Sequence, residues 1–381
     1  MDAQQFEAFA VFPPGLEEQV GVELQQLGFV AHVEPGGATF WTDVAGLELA
    51  HLWLRIPTKI LVRVSRARVR HLAQLRQQAA NVDWHDYLRP GDPVRIKVAS
   101  RHSKLYHTGA IADRIRSGIG AVLGVVPPKA AATEGGATLQ ARLLDDWCTL
   151  SVDASGEPLY RRGGKQRVAK APLRENLAAG LLMLANYSPE QPFLDPMCGS
   201  GTLVIEAARI AMNIPPGAER EFAFMHWPSH CAERWRGLLA RARAHQREAV
   251  APIQGGDRDA GAVASARENA RRAGVSAALQ LRQQALSYWR PPADAQTGLI
   301  LTNPPYGQRV SHKQRGQLRR LYGALGALIR THFPQWRVGI ITSDAKLAYA
   351  TGLKGLQAGP YLPHGGIKIR LFAAPQQTEW A

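Results

Sequence analysis

The sequence predicts an α/β chain in which a doubly wound, Rossmann-like parallel sheet follows a smaller α+β region. Three observations carry this. Pro192-Phe193-Leu194-Asp195 is a short apolar strand that runs into Pro196-Met197-Cys198-Gly199-Ser200-Gly201 and a helix opening at Thr202. Ile253-Gln254-Gly255-Gly256-Asp257 is a second strand ending in an acid, with a helix expected over 260–273. Gly298-Leu299-Ile300-Leu301-Thr302 is an apolar run stopped by Pro304 and Pro305, which cannot continue a strand ladder. Strands joined by helical crossovers at this spacing form a sheet covered on both faces.

In chain order, residues 1–50 show a strand at Ala8–Val11, a helix opened by Pro14-Gly15-Leu16-Glu17-Glu18, and strand pieces near Val30–Val33 and Ala38–Trp41. That βαββ pattern is half of a ferredoxin-like unit. A strand at Ile60–Val64, a helix at His71–Ala80, a strand at Pro93–Val98 and a helix over Gly109–Leu123 follow. Strands at Thr138–Leu144 and Cys148–Asp153 come after a loop from Pro127 to Gly136. Residues 156–170 are glycine-containing and basic (Arg161, Arg162, Lys165, Arg167, Lys170) and read as a crossing segment. Beyond a helix over 173–186, strands are expected at 192–195, 252–257, 279–284, 298–303, 336–342 and 366–373. Between the first two lies an insertion with an aromatic cluster, Phe222–Trp227, expected to be core, and an Arg-rich helix over 232–249.

At 381 residues the chain is expected to hold two or three domains. No apolar run reaches membrane-spanning length, and Met1–Gln5 lacks a signal-peptide pattern. The odd, scattered Cys148, Cys198 and Cys231 support neither a disulfide framework nor a metal site, so a cytoplasmic setting without metal is expected. The formal charge of +15 is unevenly spread. Residues 55–104 carry twelve Lys/Arg against three acids, and residues 309–330 carry six basic residues and no acid, an excess that suits phosphate contacts.

The motifs narrow the chemistry. Glycines at 199 and 201 admit a ligand close to the backbone, and the helix opening at Thr202 offers free N–H groups to a carboxylate. The acid precedes the glycines, no third glycine follows and no Lys-Ser/Thr pair is present, which excludes the usual dinucleotide and phosphate-loop patterns. Asp257 suits both hydroxyls of a ribose, whereas Asp259 suits a helix cap. In Asn303-Pro304-Pro305-Tyr306 the amide oxygen and the Pro304 carbonyl can accept both protons of an exocyclic amine while Tyr306 stacks on the ring bearing it.

A strand-end acid, a Gly-x-Gly turn and a downstream Asn-Pro-Pro-Tyr resemble the S-adenosylmethionine-dependent amino-methyltransferases. More specifically, the chain is similar to the THUMP-domain RNA guanine-N2 methyltransferases, including the N-terminal half of the bifunctional 23S rRNA enzyme. The stretches that carry the likeness are Ala171–Ala179, Leu194–Thr202, Asn213–Gly217 with Phe222–Trp227, and Thr302–Arg309. The resemblance implies a ferredoxin-like subdomain over 1–54, a THUMP RNA-binding domain over 55–155 that contains Ser103–His107, a linker over 156–170 and a methyltransferase domain over 171–381. It implies that Asp195, Met197, Cys198, Gly199, Ser200, Gly201, Thr202, Asp257 and Asn303 contact S-adenosylmethionine, and that Asn303, Pro304 and Tyr306 orient the target amine. Gln284 stands where many relatives place an adenine-binding Asp, and His364-Gly365 stands where Asn-Gly is expected in a C-terminal hairpin. Asn-Pro-Pro-Tyr would equally serve an adenine N6 amine in DNA, but the 381 − 306 = 75 residues after Tyr306 leave no room for a target-recognition domain. Ribosomal RNA is the expected partner, transfer RNA the alternative, and a non-catalytic RNA-binding factor the reading from another class.

Overall fold

The computed structural model describes residues 5–130, 136–162, 173–306 and 312–376. The basic residues at 163–170, Ala171-Pro172 and the stretch from Gly307 to Arg309 lie outside them. The elements in chain order are β1 (Phe6–Val11), α1 (Glu17–Gln26), β2 (Ala31–Glu34), β3 (Gly37–Thr42), α2 (Val44–Trp53), β4 (Lys59–Arg68), α3 (Leu72–Ala80), β5 (Val94–Arg101), α4 (Thr108–Leu123), β6 (Ala137–Leu144) and β7 (Trp147–Asp153). They continue with α5 (Glu175–Leu184), β8 (Phe193–Asp195), α6 (Thr202–Ala211), α7 (Ala232–Ala244), β9 (Ile253–Asp257), α8 (Ala260–Arg272), β10 (Leu279–Gln283) and β11 (Leu299–Thr302). The last are α9 (His312–His332), β12 (Arg337–Thr342), α10 (Ala345–Tyr349), β13 (Gln357–Ala358), β14 (Leu362–His364) and β15 (Ile367–Ala374).

The chain divides into two compact units that are not continuous in sequence. Unit 1 holds residues 1–12, 20–159 and 220–239, and unit 2 holds 13–19, 160–219 and 240–381. Unit 1 is built on one sheet ordered β2-β3-β1-β4-β7-β6-β5, antiparallel except for the parallel β5–β6 pair. The sequence reading missed α2, whose Asp43 cap accepts from the Gly46 N–H at 2.8 Å. The aromatic insertion belongs to this unit. Phe222, Phe224 and Trp227 are buried, and His51 packs edge-on against both phenylalanines. Burial holds the His51 ring neutral, with its pKa down to about 3, while its nitrogens bond the Leu47 carbonyl and the Ser155 hydroxyl.

Unit 2 carries the sheet β10-β9-β8-β11-β12-β15-β13, with β14 paired to β15. From β10 to β12 every pair is parallel, but β15 runs antiparallel to β12, so the sixth expected strand departs from the all-parallel reading. β15 is also antiparallel to β13 and β14, so this edge of the sheet is an antiparallel group, and β15 follows β14 through a two-residue turn. Gly365 and Gly366 form that turn, both at positive φ, and His364 is the last residue of β14. His364 and Gly365 thus lie in the C-terminal hairpin, at the end of its first strand and the start of its turn.

Candidate functional site

Strand order fixes where a ligand can enter. The chain runs outward from β8 through β9 to β10, then returns to the other side of β8 for β11 and β12. The crevice at such a reversal, beyond the carboxyl ends of the strands, is the usual ligand site of an open α/β sheet. Asp195 ends β8, Asp257 ends β9, and Thr302 ends β11 with Asn303 immediately beyond it. The Thr302 hydroxyl donates to Asp195 Oδ1 at 2.7 Å, joining the two strands that flank the crevice.

The glycine turn is held by its backbone. Cys198 N–H donates to the Gly256 carbonyl at 2.8 Å, Gly201 N–H to the Cys198 carbonyl at 2.8 Å, and Asn269 Nδ2 to the Ser200 carbonyl at 3.1 Å. Gly199 N–H reaches Asp257 Oδ2 at 3.3 Å, so the second strand's acid also shapes the turn. Gly199 and Gly201 have φ of 54° and 86°, the left-handed region that glycine enters without cost. A Cβ on Gly201 would press on Ala266 at 3.0 Å, whereas one on Gly199 would meet nothing within 4 Å. The turn is thus closed toward α8 and open at Gly199.

Asp195 is buried, and burial pushes its carboxyl up to about 7. The Thr302 hydroxyl and the Met197 N–H pull the other way, and the charge of Asp257 pushes it further up. Burial beside the two acids also holds the Cys198 thiol well above its ordinary range, so it is a neutral wall of the turn and no nucleophile. Asp257 sits at the strand tip, its Oδ1 accepting from Asp259 N–H at 3.0 Å. Asp259 caps α8 by accepting from Gly261 N–H at 2.7 Å. Gln284 lies just past β10, where its N–H donates to the Asp257 carbonyl at 3.1 Å.

Across the crevice, Asn303 Oδ1 is shielded from solvent and has no hydrogen-bond partner among the described residues. A buried acceptor left unpaired costs about 1–3 kcal/mol, which a donor supplied by a ligand would recover. Pro304 is buried and Pro305 exposed. Tyr306 is half-buried against the cluster of Leu194, Tyr322 and Ile340, and burial pushes its hydroxyl up to about 12. Asp195, Asp257 and Asn303 therefore stand at the carboxyl ends of the neighbouring strands β8, β9 and β11, with the turn over 197–202 following β8 and Gln284 just past β10; the part of the Thr302–Arg309 stretch beyond Tyr306 lies outside the described residues. Thr302 and Asn269 were not anticipated; the signal for Thr302 was a hydroxyl at the last position of a buried strand. Among the described residues no His/Cys/Asp/Glu cluster could hold a metal ion, and no helix is long and apolar enough to cross a membrane.

Two strand-end carboxylates around an open glycine turn, facing a buried amide oxygen that has no partner among the described residues, are the arrangement of a Rossmann-like methyltransferase domain. The chain belongs to the RMKL-like methyltransferase domain family, which it matches over residues 162–360. It also matches the RlmL ferredoxin-like domain over 7–61 and the THUMP domain over 69–153. It is similar to the ribosomal RNA large subunit methyltransferase K/L of Marinobacter nauticus, at 32% identity covering 92% of this chain and 50% of that one. The protein of the same name from Syntrophotalea carbinolica is 34% identical, covering 96% of this chain and 53% of that one. The chain spans about half the length of these curated relatives. Among solved structures, a "putative methyltransferase complexed with SAH" superposes with a TM-score of 0.88 at 30% identity, covering 98% of this chain and 99% of that one.

Proposed function

We propose that this chain transfers a methyl group from S-adenosyl-L-methionine to the exocyclic N2 amine of a guanosine, with 23S ribosomal RNA as substrate and the cytoplasm as setting. The observation that carries the reading is the buried Asn303 Oδ1 at the sheet reversal, which has no partner among the described residues. The names of the K/L relatives and the THUMP match support an RNA substrate. The residues present fit the cofactor: Asp195 and Asp257 offer two carboxylates to its ammonium and ribose groups, and the turn from Met197 to Thr202 is open at Gly199. Gln284 is proposed to lie beside the adenine. Residues 55–155 are proposed to bind the RNA and 171–381 to hold the chemistry.

S-adenosylmethionine supplies an electrophilic methyl on a positively charged sulfur. Asn303 Oδ1 accepts a hydrogen bond from one amine N–H and the Pro304 carbonyl from the other, which turns the nitrogen lone pair away from the ring. Tyr306, neutral at physiological pH, stacks on the guanine and fixes its plane. With the methyl donor bound, the amine would lose its proton to solvent only after attack, so no strong base is needed among the site residues. Positioning carries the rate, worth roughly 7–11 kcal/mol in favourable cases.

Asn303→Ala is expected to lower single-turnover methylation of a 23S rRNA fragment at saturating cofactor by at least about 10²-fold, the usual loss of one preorganised electrostatic partner. Cofactor affinity should change little, because this acceptor acts mainly on the transition state. A rate within about threefold of the unsubstituted chain would remove Asn303 from this role. Mass spectrometry of the product separates N2-methylguanosine from N6-methyladenosine and so decides between the guanine and adenine readings.

A further inference from the structure

The register of β4, β7, β6 and β5 places a distinctive set of side chains on one face of the unit 1 sheet. Directly opposed residues on neighbouring strands point to the same side. One row is Arg68, Trp147, Leu144 and Arg101, and the next is Arg66, Thr149, Arg142 and Ala99, with Gln140 and Lys97 in a third. The intervening residues Cys148, Leu150, Leu143 and Ala141 point the other way and are buried. Arg66, Arg68, Lys97, Arg101 and Arg142 are all exposed, and these rows contain no acid. Their apolar centre is partly open as well: Trp147 is 44% and Leu144 40% exposed, side by side, with the Arg66 guanidinium over the Trp147 ring, 5.2 Å from its centroid, where an incoming base would take its place. The nearest acids stand in the β6–β7 turn. There Asp146 accepts from Arg70 Nε and from Lys104 N–H, both at 2.9 Å, and Asp145 lies 3.7 Å from the His102 ring.

Strands about 4.8 Å apart make this a continuous platform, with an aromatic and a leucine in the middle and guanidinium groups on either side. We propose that it docks an unpaired segment of RNA, with one base stacked on Trp147 and the backbone phosphates held by Arg66 and Arg68 on one flank and by Arg101 and Arg142 on the other. The proposal rests on the RNA reading above and refines it to one surface. An exposed indole is of use only to a base whose face is free, because a duplex buries its ring faces within the stack. The charges would serve either form of RNA; the platform between them selects the single strand.

The test uses the full chain and fluorescein-labelled RNA, a 12-nucleotide single strand and the matching duplex, followed by polarisation at several salt concentrations. Trp147→Ala should weaken single-strand binding by about 5- to 150-fold, as loss of one stacked base does, and duplex binding by less than about twofold. Trp147→Phe should recover most of the loss. Arg68→Gln with Arg142→Gln should make the log–log salt slope shallower by about 1.4, two single-strand phosphate contacts. Unchanged single-strand affinity in Trp147→Ala, or an equal loss for both forms of RNA, would overturn the proposal. Melting temperature and calorimetric S-adenosylmethionine binding should be unaltered in every variant. If the unsubstituted chain bound RNA in this way but methylated none, the catalytic reading would fail and the surface would stand.

Discussion

Thr302 carries more consequence than its place inside a strand suggests. Its hydroxyl, 2.7 Å from Asp195 Oδ1, is the direct link between the strand that leads to Asn303 and the turn proposed to hold the cofactor. The bond also lowers the Asp195 pKa, set at about 7 by burial. Thr302→Val keeps the shape and removes the donor, so Asp195 should titrate higher and be less charged at neutral pH. Cofactor affinity at pH 7 should then fall by about 3- to 10-fold, less than the full worth of a hydrogen bond to a charged group because part of it is recovered by protonation. Thr302→Ser should restore it, and calorimetry across pH distinguishes the reading from mere repacking, which would leave the midpoint in place. The unsubstituted protein has its own pH dependence. A cationic cofactor favours the carboxylate form of Asp195, so affinity should rise with pH up to about 7 and then level. Affinity at pH 6 should be about tenfold below that at pH 8, with proton release visible as buffer-dependent binding enthalpy. The folding sign runs the other way. Without ligand the folded state binds the Asp195 proton more tightly than the unfolded chain, so stability should decline as pH rises from about 4 to about 7. An Asp195→Asn variant should lack both dependences.

At the scale of elements, the β9–β10 pair shows what a strand-end acid requires. A Cβ on Gly256 would lie 2.3 Å from the Arg282 carbonyl and 2.7 Å from the Trp289 ring, so only glycine lets β9 approach β10 with Asp257 at its tip. Gly256→Ala should cost about 1–3 kcal/mol by overpacking and lower the melting temperature by roughly 3–10 °C, with cofactor affinity falling in parallel. An unchanged melting temperature would show that the strands can separate without loss. Elements like these were legible in the sequence because punctuation and chemistry coincide: the glycine turn ends β8, the acid ends β9, and two prolines stop β11. The β10 end was legible as a strand but not as a contact, since Gln284 engages Asp257 through its backbone N–H, which no side-chain motif records. Helix α2 went unread because Val44–Trp53 is mostly apolar, its two polar residues Glu48 and His51 are buried, and it lacks the periodic stripe of a surface helix. Thr302 went unread because its partner lies 107 residues away.

At the scale of the molecule, the two units are interleaved along the chain, and sequence patterning gives little warning of that. Periodicity sees local partners, whereas unit 2 draws residues 13–19 from the far end of the chain, and residues 220–239 go to unit 1. The aromatic run Phe222–Trp227 reads as core in either unit, so composition alone could not assign it. Leu16 makes the consequence testable. It is fully buried in unit 2, where a Cβ on Gly180 of α5 would come within 2.6 Å of it, and Gly15 packs equally closely on the Tyr361 carbonyl before β14. A fragment beginning near residue 160 would therefore retain every proposed catalytic and cofactor residue and still lack a piece of that core. Within the full chain, Leu16→Ala should cost about 2–5 kcal/mol, the range for a buried leucine. Hydrogen exchange should quicken over Glu175–Leu184 of α5 while β4–β7 of unit 1 stay protected, since local opening follows the unit that lost its contact. Faster exchange in β4–β7 with α5 unchanged would place Leu16 in the stability of the wrong unit and overturn this division of the chain.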